Sequence, residues 1–276
     1  MKTVDVRGVR VPTILYGTAW KEDRTEALVK KALAAGFRGF DTANQRKHYF
    51  EEGVGKALGA SKIPPEDLFI QTKFTSLDGQ DRRLPYDAHA PIAEKVEQSF
   101  ESSLVHLGVE TIDSFVLHGP SLRKGLISDD WDAWRAMEKL HAEKRARLLG
   151  ISNVALDQLE ALCAKAAVKP AMVQNRCYAS RGWDREIRAF CGTNGIIYQG
   201  FSLLTANREI LRHGRLTDIA KRHHKTVAQV IFRFALQLGM IVLTGTTSDA
   251  HMRENLAIYD FELDAKDVAA IETVAG

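Results

Sequence analysis

Ser114-Phe115-Val116-Leu117-His118-Gly119-Pro120 is an apolar run that closes on a histidine and then a turn. Leu68-Phe69-Ile70-Gln71-Thr72-Lys73-Phe74 has the same form and ends around a lysine. Gly39-Phe40-Asp41-Thr42-Ala43 upstream and Leu148-Leu149-Gly150-Ile151-Ser152-Asn153 downstream are further apolar stretches that close on polar residues. Four more β-rich runs follow this pattern: Ile14 to Thr18, Met172 to Gln174, Ile196 to Gln199 and Met240 to Leu243. That makes eight strands. Between them, Glu26 to Ala35, Ile92 to Leu107, Trp131 to Glu143, Leu156 to Ala166, Asp184 to Cys191 and Val227 to Leu238 carry apolar residues at three- and four-residue steps, the helical period. Near-continuous apolar strands alternating with amphipathic helices predict a parallel sheet covered on both faces. Eight such units in 276 residues predict an α/β fold of the closed (β/α)8, or TIM barrel, type.

Before the first strand, Val4 to Val11 alternates apolar and polar residues around Gly8, as a short β-hairpin does, and is placed to plug the barrel floor. The turn-rich segments Leu77 to Pro91 and Gly119 to Ser128 read as loops at the strand C-terminal ends, where barrel active sites are built. One domain spanning residues 1–276 is expected. A formal charge of +3 is spread along the chain, so there is no basic stripe for nucleic acid. There is no run of about 18 apolar residues to suggest a membrane span, and the first residues lack the apolar stretch of a signal peptide. A cytoplasmic monomer is the expectation. Cys163, Cys177 and Cys191 lack metal-like spacing and read as buried thiols.

An Asp, a Lys, a His and a Ser-Asn pair at successive strand ends point to one shared site. Asp41 and Lys73 facing each other at the barrel mouth would form a desolvated ion pair. An ammonium beside a phenol favours the phenolate, so Lys73 is expected to lower the pKa of a neighbouring tyrosine. Tyr49, in the loop after Asp41, is the candidate acid, and His118 can donate to the same substrate oxygen. Carbonyl reduction needs these parts.

The whole chain resembles an aldo-keto reductase. Asp41-Thr42-Ala43, then Tyr49, then Glu51 to Leu58 is similar to that family's signature. So are Lys73, His118-Gly119-Pro120, Gly150 to Asn153, Gln174-Asn175 and Arg253-Glu254-Asn255-Leu256, in the expected order. The resemblance implies reduction of small-molecule aldehydes or ketones by a nicotinamide cofactor. Asp41, Tyr49, Lys73 and His118 would form the catalytic tetrad. Ser152, Asn153 and Gln174 would hold the carboxamide, and Phe201 would stack on the nicotinamide. Ser202 and Leu204 would sit in the pyrophosphate loop, with Gly17, Thr18 and Asn255 also on the cofactor. Trp20 and His48 would line the substrate pocket. The loop after Asp41 is about two residues longer than in the family, so one register puts His48 rather than Tyr49 at the proton-donor position. Tyr49 is preferred because a phenol suits the Lys73 partner, whereas an imidazole there would be pushed neutral.

The cofactor end departs from the family as well. Gly245 and His251 stand where relatives that use NADP place a Lys and an Arg. Thr246, Thr247 and Ser248 still offer donors at a helix start, and NADP(H) is the expected preference, with NAD(H) as the alternative. Other readings stay open at this point: a nicotinamide-binding regulatory subunit with little turnover, or an isomerase or aldolase that uses Lys73 as a Schiff base. Gly53-Val54-Gly55-Lys56-Ala57-Leu58-Gly59 superficially resembles a dinucleotide-binding glycine motif, but no strand precedes it, and close helix packing explains it better. No metal site is expected, since neither His48 with Glu51 nor His223-His224 has a third ligand at a recognisable spacing.

Overall fold

The structure is a computed structural model that describes residues 2–275. Strands β1 (Thr3–Val6) and β2 (Val9–Pro12) pair antiparallel, with Val6 opposite Val9. The two residues between them, Arg7 and Gly8, have φ of 51° and 81°. Positive φ at both positions is the turn geometry that matches strand twist, and Gly8 adopts it without penalty. The Arg7 guanidinium reaches the carbonyls of Lys169 (2.8 Å) and Pro170 (3.0 Å) and fastens the hairpin to the barrel. Val9 and Val11 pack against Leu15, Phe69, Leu148, Ala171 and Ile241. The hairpin therefore seals the floor.

Eight parallel strands close the barrel: β3 (Ile14–Gly17), β4 (Gly39–Asp41), β5 (Phe69–Phe74), β6 (Ile112–Leu117), β7 (Ala146–Ser152), β8 (Met172–Arg176), β9 (Ile197–Phe201) and β10 (Ile241–Thr244). β10 pairs with both β9 and β3, so no edge is left open. Outside lie α1 (Thr25–Ala35), α2 (Glu51–Gly59), α3 (Ile92–Leu107), α4 (Ser128–Ala142), α5 (Leu156–Lys165), α6 (Arg185–Thr193), α7 (Gly214–Arg222), α8 (Val227–Gln237), α9 (Asp249–Leu256) and α10 (Ala265–Glu272). All eight expected strands form, and the six expected helices agree within a few residues. The apolar period does not reveal α2, α7, α9 or α10, each of only eight or nine residues. Leu216, Ile219 and Ala220 alone are buried on α7. No helix among the described residues is long and apolar enough to cross a membrane. All three cysteines are buried and free.

The glycine-rich stretch is α2, and its glycines serve packing. A Cβ at Gly55 would collide with the His106 carbonyl oxygen and come within 2.9 Å of Leu107 backbone, so α2 lies directly against the end of α3. At Gly59, one turn later, a Cβ would have no other atom within 4 Å. Gly55→Ala should thus destabilise the protein by about 2 kcal/mol through overpacking, after the helix-propensity gain of Ala is subtracted. Gly59→Ala should leave stability unchanged or slightly raised. Thermal denaturation of the two variants checks this, and equal midpoints would show that the contact between α2 and α3 yields without strain.

Candidate active site

Parallel barrel strands deliver their C-terminal ends to one rim, which brings residues far apart in sequence together. Asp41 ends β4 and Lys73 lies near the end of β5, and both are buried. Lys73 Nζ donates to Asp41 Oδ1 at 2.7 Å and to the Thr42 carbonyl at 2.7 Å. Asp41 Oδ1 also accepts from Gln71 Nε2 (2.7 Å) and Gln174 Nε2 (2.9 Å). The Lys73 ammonium stands 5.3 Å from the centroid of the Tyr49 ring, whose other neighbour is His118, 6.0 Å away ring to ring and edge-on. The four predicted catalytic side chains therefore converge. His48 turns the other way, 3.8 Å from the Trp20 ring, with Nδ1 2.8 Å from Gln45 Oε1. The geometry thus places Tyr49, not His48, beside Lys73.

The protonation states follow from burial. Desolvation, reinforced by the Asp41 charge, holds the Tyr49 phenol well above its ordinary pKa. This reverses the expectation that Lys73 would lower it. The physical reason is that the ammonium is bonded to Asp41 and Thr42, and it is itself pushed toward its neutral form by burial, with Asp41 acting in the opposite direction. Burial first, then the Lys73 charge and His48, lower His118 to about 3. His118 is a neutral imidazole whose Nδ1 is 2.6 Å from Thr75 Oγ1.

A cavity of about 920 Å³ opens over this cluster. Gly17, Trp20, Ser152, Asn153, Gln174, Phe201, Ser202, Leu204, Thr246, His251 and Asn255 line it together with Asp41, His48, Tyr49 and His118. Trp20 is 67% exposed at the mouth, and its backbone has φ of 61°. Asn153 and Ser202 also take left-handed φ, 52° and 55°, as strained residues at functional sites often do. Ser152 Oγ donates to the Gln174 carbonyl at 2.6 Å, and Asn153 Nδ2 donates to the His118 carbonyl at 2.8 Å. Asn255 Nδ2 donates to Thr244 Oγ1 at 2.8 Å. Three predicted residues do not line the cavity, the first being Lys73, which lies fully buried beneath it. Thr18 is fully buried with its hydroxyl on the Asp41 carbonyl, tying β3 to β4, and Thr247 lies beyond the cavity wall.

Sequence reasoning missed several residues here. Lys21 is 6% exposed, and its ammonium donates to the Gly245 carbonyl. A Cβ at position 245 would stand 3.4 Å from that nitrogen, in contact with a lysine that arrives from the first strand's loop. Lys21 directly follows Trp20, and its spacing alone gave no sign of this reach. Arg176 stands 5.6 Å over the Phe201 ring. Among the described residues no three His, Cys, Asp or Glu side chains gather as a metal site.

Known proteins resemble this chain along its whole length. Glyoxal reductase of Bacillus subtilis (strain 168) is 34% identical over 270 residues, 97% of this chain and 90% of that protein. Methylglyoxal reductase DkgA of Yersinia pestis is 30% identical over 249 residues, 90% of this chain and 82% of that protein. The crystal structure of an aldo/keto reductase from Brucella melitensis superposes with a TM-score of 0.84 at 32% identity, covering 99% of this chain and 98% of that one. The profile of the Aldo/keto reductase family matches residues 13–275, from the last residue before β3 to the C-terminal end of the described chain. A barrel whose strand ends assemble a buried Asp–Lys pair under a tyrosine and a histidine, matched along its length in sequence and in structure, belongs to the aldo/keto reductase family.

Proposed function

We propose that this protein reduces small aldehydes and ketones to alcohols with NADPH, with Tyr49 as the proton donor. The observation that carries the reading is the protonated Tyr49 phenol held between the Lys73 ammonium and the neutral His118 imidazole at the base of an open cavity. Two similar proteins are named for glyoxal and methylglyoxal, and small 2-oxoaldehydes are the first substrates to try.

The cavity fits a dinucleotide. It runs from Ser152, Asn153, Gln174 and Phe201, which suit a flat amide-bearing ring, to Gly245, Thr246 and His251 at the start of α9, with Lys21 buried behind the Gly245 carbonyl. A reduced nicotinamide bound there supplies hydride to the carbonyl carbon. The chain's own residues do the rest. His118 and Tyr49 orient the carbonyl oxygen; with the Thr75 hydroxyl donating to His118 Nδ1, the imidazole proton sits on Nε2, free to donate. Tyr49 passes its proton to the oxygen as negative charge develops there. The Lys73 ammonium, which faces the Tyr49 ring, offsets part of the charge on the phenolate that remains, while burial and Asp41 keep the resting phenol protonated.

Tyr49→Phe should keep cofactor affinity and slow the hydride-transfer step by about 10²- to 10⁴-fold in single-turnover mixing with methylglyoxal. His48→Gln should lower it far less, because that ring faces Trp20 and Gln45. Greater damage from the His48 change, with both variants folded, would move the donor role to His48. Absence of multiple turnovers in the unmodified protein with any small carbonyl would leave a cofactor-binding partner subunit as the better account.

Cofactor preference rests on Lys21 and His251, since Gly245 and His251 supply no fixed charge at the positions that hold cations in relatives using NADP. One charge-assisted hydrogen bond to a 2′-phosphate is worth about ten- to a hundredfold in affinity. NADPH should exceed NADH in kcat/KM by that factor, and His251→Ala should narrow the ratio without changing turnover at saturating cofactor. Equal or better kcat/KM with NADH would overturn the preference.

A further inference from the structure

Two glutamines that line no part of the cavity stand at the centre of the barrel, fully buried: Gln71 on β5 and Gln199 on β9. These strands are four places apart in the closed order, so their side chains meet across the lumen. Gln71 Nε2 donates to Gln199 Oε1 at 2.8 Å, and Gln199 Nε2 donates back to Gln71 Oε1 at 3.0 Å. Each also sits level with a cavity residue on the neighbouring strand: Gln71 is in register with Asp41, and Gln199 with Gln174. Gln71 gives a second N–H to Asp41, while Gln174 gives one N–H to Asp41 and the other to Gln199 Oε1 at 3.0 Å.

This network has only one consistent direction. The Asp41 carboxylate, ion-paired with Lys73, is an acceptor, so both glutamines that touch it must present NH₂. Gln199 then meets two NH₂ groups and must present its oxygen to them, which turns its own NH₂ onto Gln71 Oε1. Reversing either Gln71 or Gln199 alone would set donor against donor or acceptor against acceptor in a buried site, which leaves unsatisfied polar atoms. Both amide hydrogens of Gln174 are thereby used inside the barrel. What Gln174 has left for the cavity is its carbonyl oxygen, an acceptor.

We propose that Gln199, itself held by Gln71, is a positioning residue that completes the Asp41 lock on Gln174, keeping its amide oxygen toward the cavity so that it accepts a hydrogen bond from the carboxamide N–H of the nicotinamide. The inference rests on the proposed nicotinamide cofactor, and it goes further in making one orientation of Gln174 a consequence of the buried Asp41 charge. It also ties the cofactor clamp to the ion pair beneath Tyr49 through a single side chain.

The test compares two cofactors that differ only at this group, NADP⁺ and its 3-acetylpyridine analogue, whose methyl ketone has no N–H. Equilibrium dissociation constants come from quenching of tryptophan fluorescence, with no turnover involved. A locked acceptor should favour NADP⁺ over the analogue by about tenfold, because the analogue leaves the Gln174 oxygen unpaired. Gln174→Met should abolish that ratio. Gln199→Met, which keeps the volume but removes one of the two acceptors on the Gln174 NH₂, should reduce it to within about threefold, and Gln71→Met, which reaches Gln174 only through Gln199 and Asp41, should reduce it less. Gln199→Asn, a milder change, covers the case in which the methionine variants do not fold. A ratio is insensitive to a general loosening of the site, which weakens both cofactors alike. If Gln174→Met leaves the ratio unchanged, the carboxamide does not meet Gln174 and the cofactor reading fails at that residue. If Gln174→Met abolishes the ratio while every folded variant at 71 and 199 retains it, this inference alone is overturned.

Discussion

The ion pair of Asp41 and Lys73 is the constraint on which the site depends. Both side chains are almost wholly buried, and an ammonium or a carboxylate alone at that depth would be far from stable. Removing one partner of such a pair leaves an uncompensated buried charge, at a cost of about 3–5 kcal/mol. The pair persists because its remaining valences are filled: the Thr42 carbonyl takes a second proton of Lys73, and two glutamine amides join the lysine on Asp41 Oδ1. The fixed charges then set the state of their neighbours. The Asp41 charge adds to burial in keeping the Tyr49 phenol protonated, and the Lys73 charge adds to burial in keeping His118 neutral.

The barrel supplies the two environments this requires in separate layers. Below, the hairpin valines and the lower strand residues form a dry plug of Val9, Val11, Leu15, Phe69, Leu148 and Ile241. Above it lies the polar layer of Gln71, Gln174, Gln199, Asp41 and Lys73, with the cavity on top. Parallel pairing in register makes the layering possible, since Asp41 stands level with Gln71 and Gln174 with Gln199. Polar groups at one height can then satisfy one another across the lumen.

The strands were legible in the sequence because a parallel sheet buried on both faces demands unbroken apolar runs, and each run carried its polar residue at the end that a barrel turns into a mouth. Asp41, Lys73 and His118 could be found that way. The phenol beside them could be named by chemical type, yet its register needed the fold, which sends His48 to Trp20 and Tyr49 to His118. Its pKa runs opposite to the sequence expectation because a Lys73–Tyr49 pair taken alone omits the competing partner, Asp41, and the loss of water. Gln71 and Gln199 break apolar runs in plain sight, but nothing along the chain says that residues 128 positions apart bond across a barrel. Lys21 was hidden for a similar reason: its long side chain reaches a carbonyl on the opposite end of the barrel sequence. Thr18 and Thr247 were placed on the cofactor by their neighbours, whereas Thr18 turns its hydroxyl into the backbone of β4 and Thr247 falls outside the cavity.

The reduction proposed for this site would run with a protonated phenol and an uncharged imidazole throughout the neutral range. Tyr49 is raised, so its donor form is present below its shifted pKa and lost only above it. His118 is lowered to about 3, so its neutral form is present above that value and lost only in strong acid. The direct measurement is the single-turnover rate of reduction of a non-ionising aromatic aldehyde by the NADPH complex, followed from pH 5 to 9. A rate that stays level across that range is the predicted result. A limb with a midpoint between pH 6 and 8 would show that His118 or Tyr49 titrates there, and would contradict these assigned protonation states.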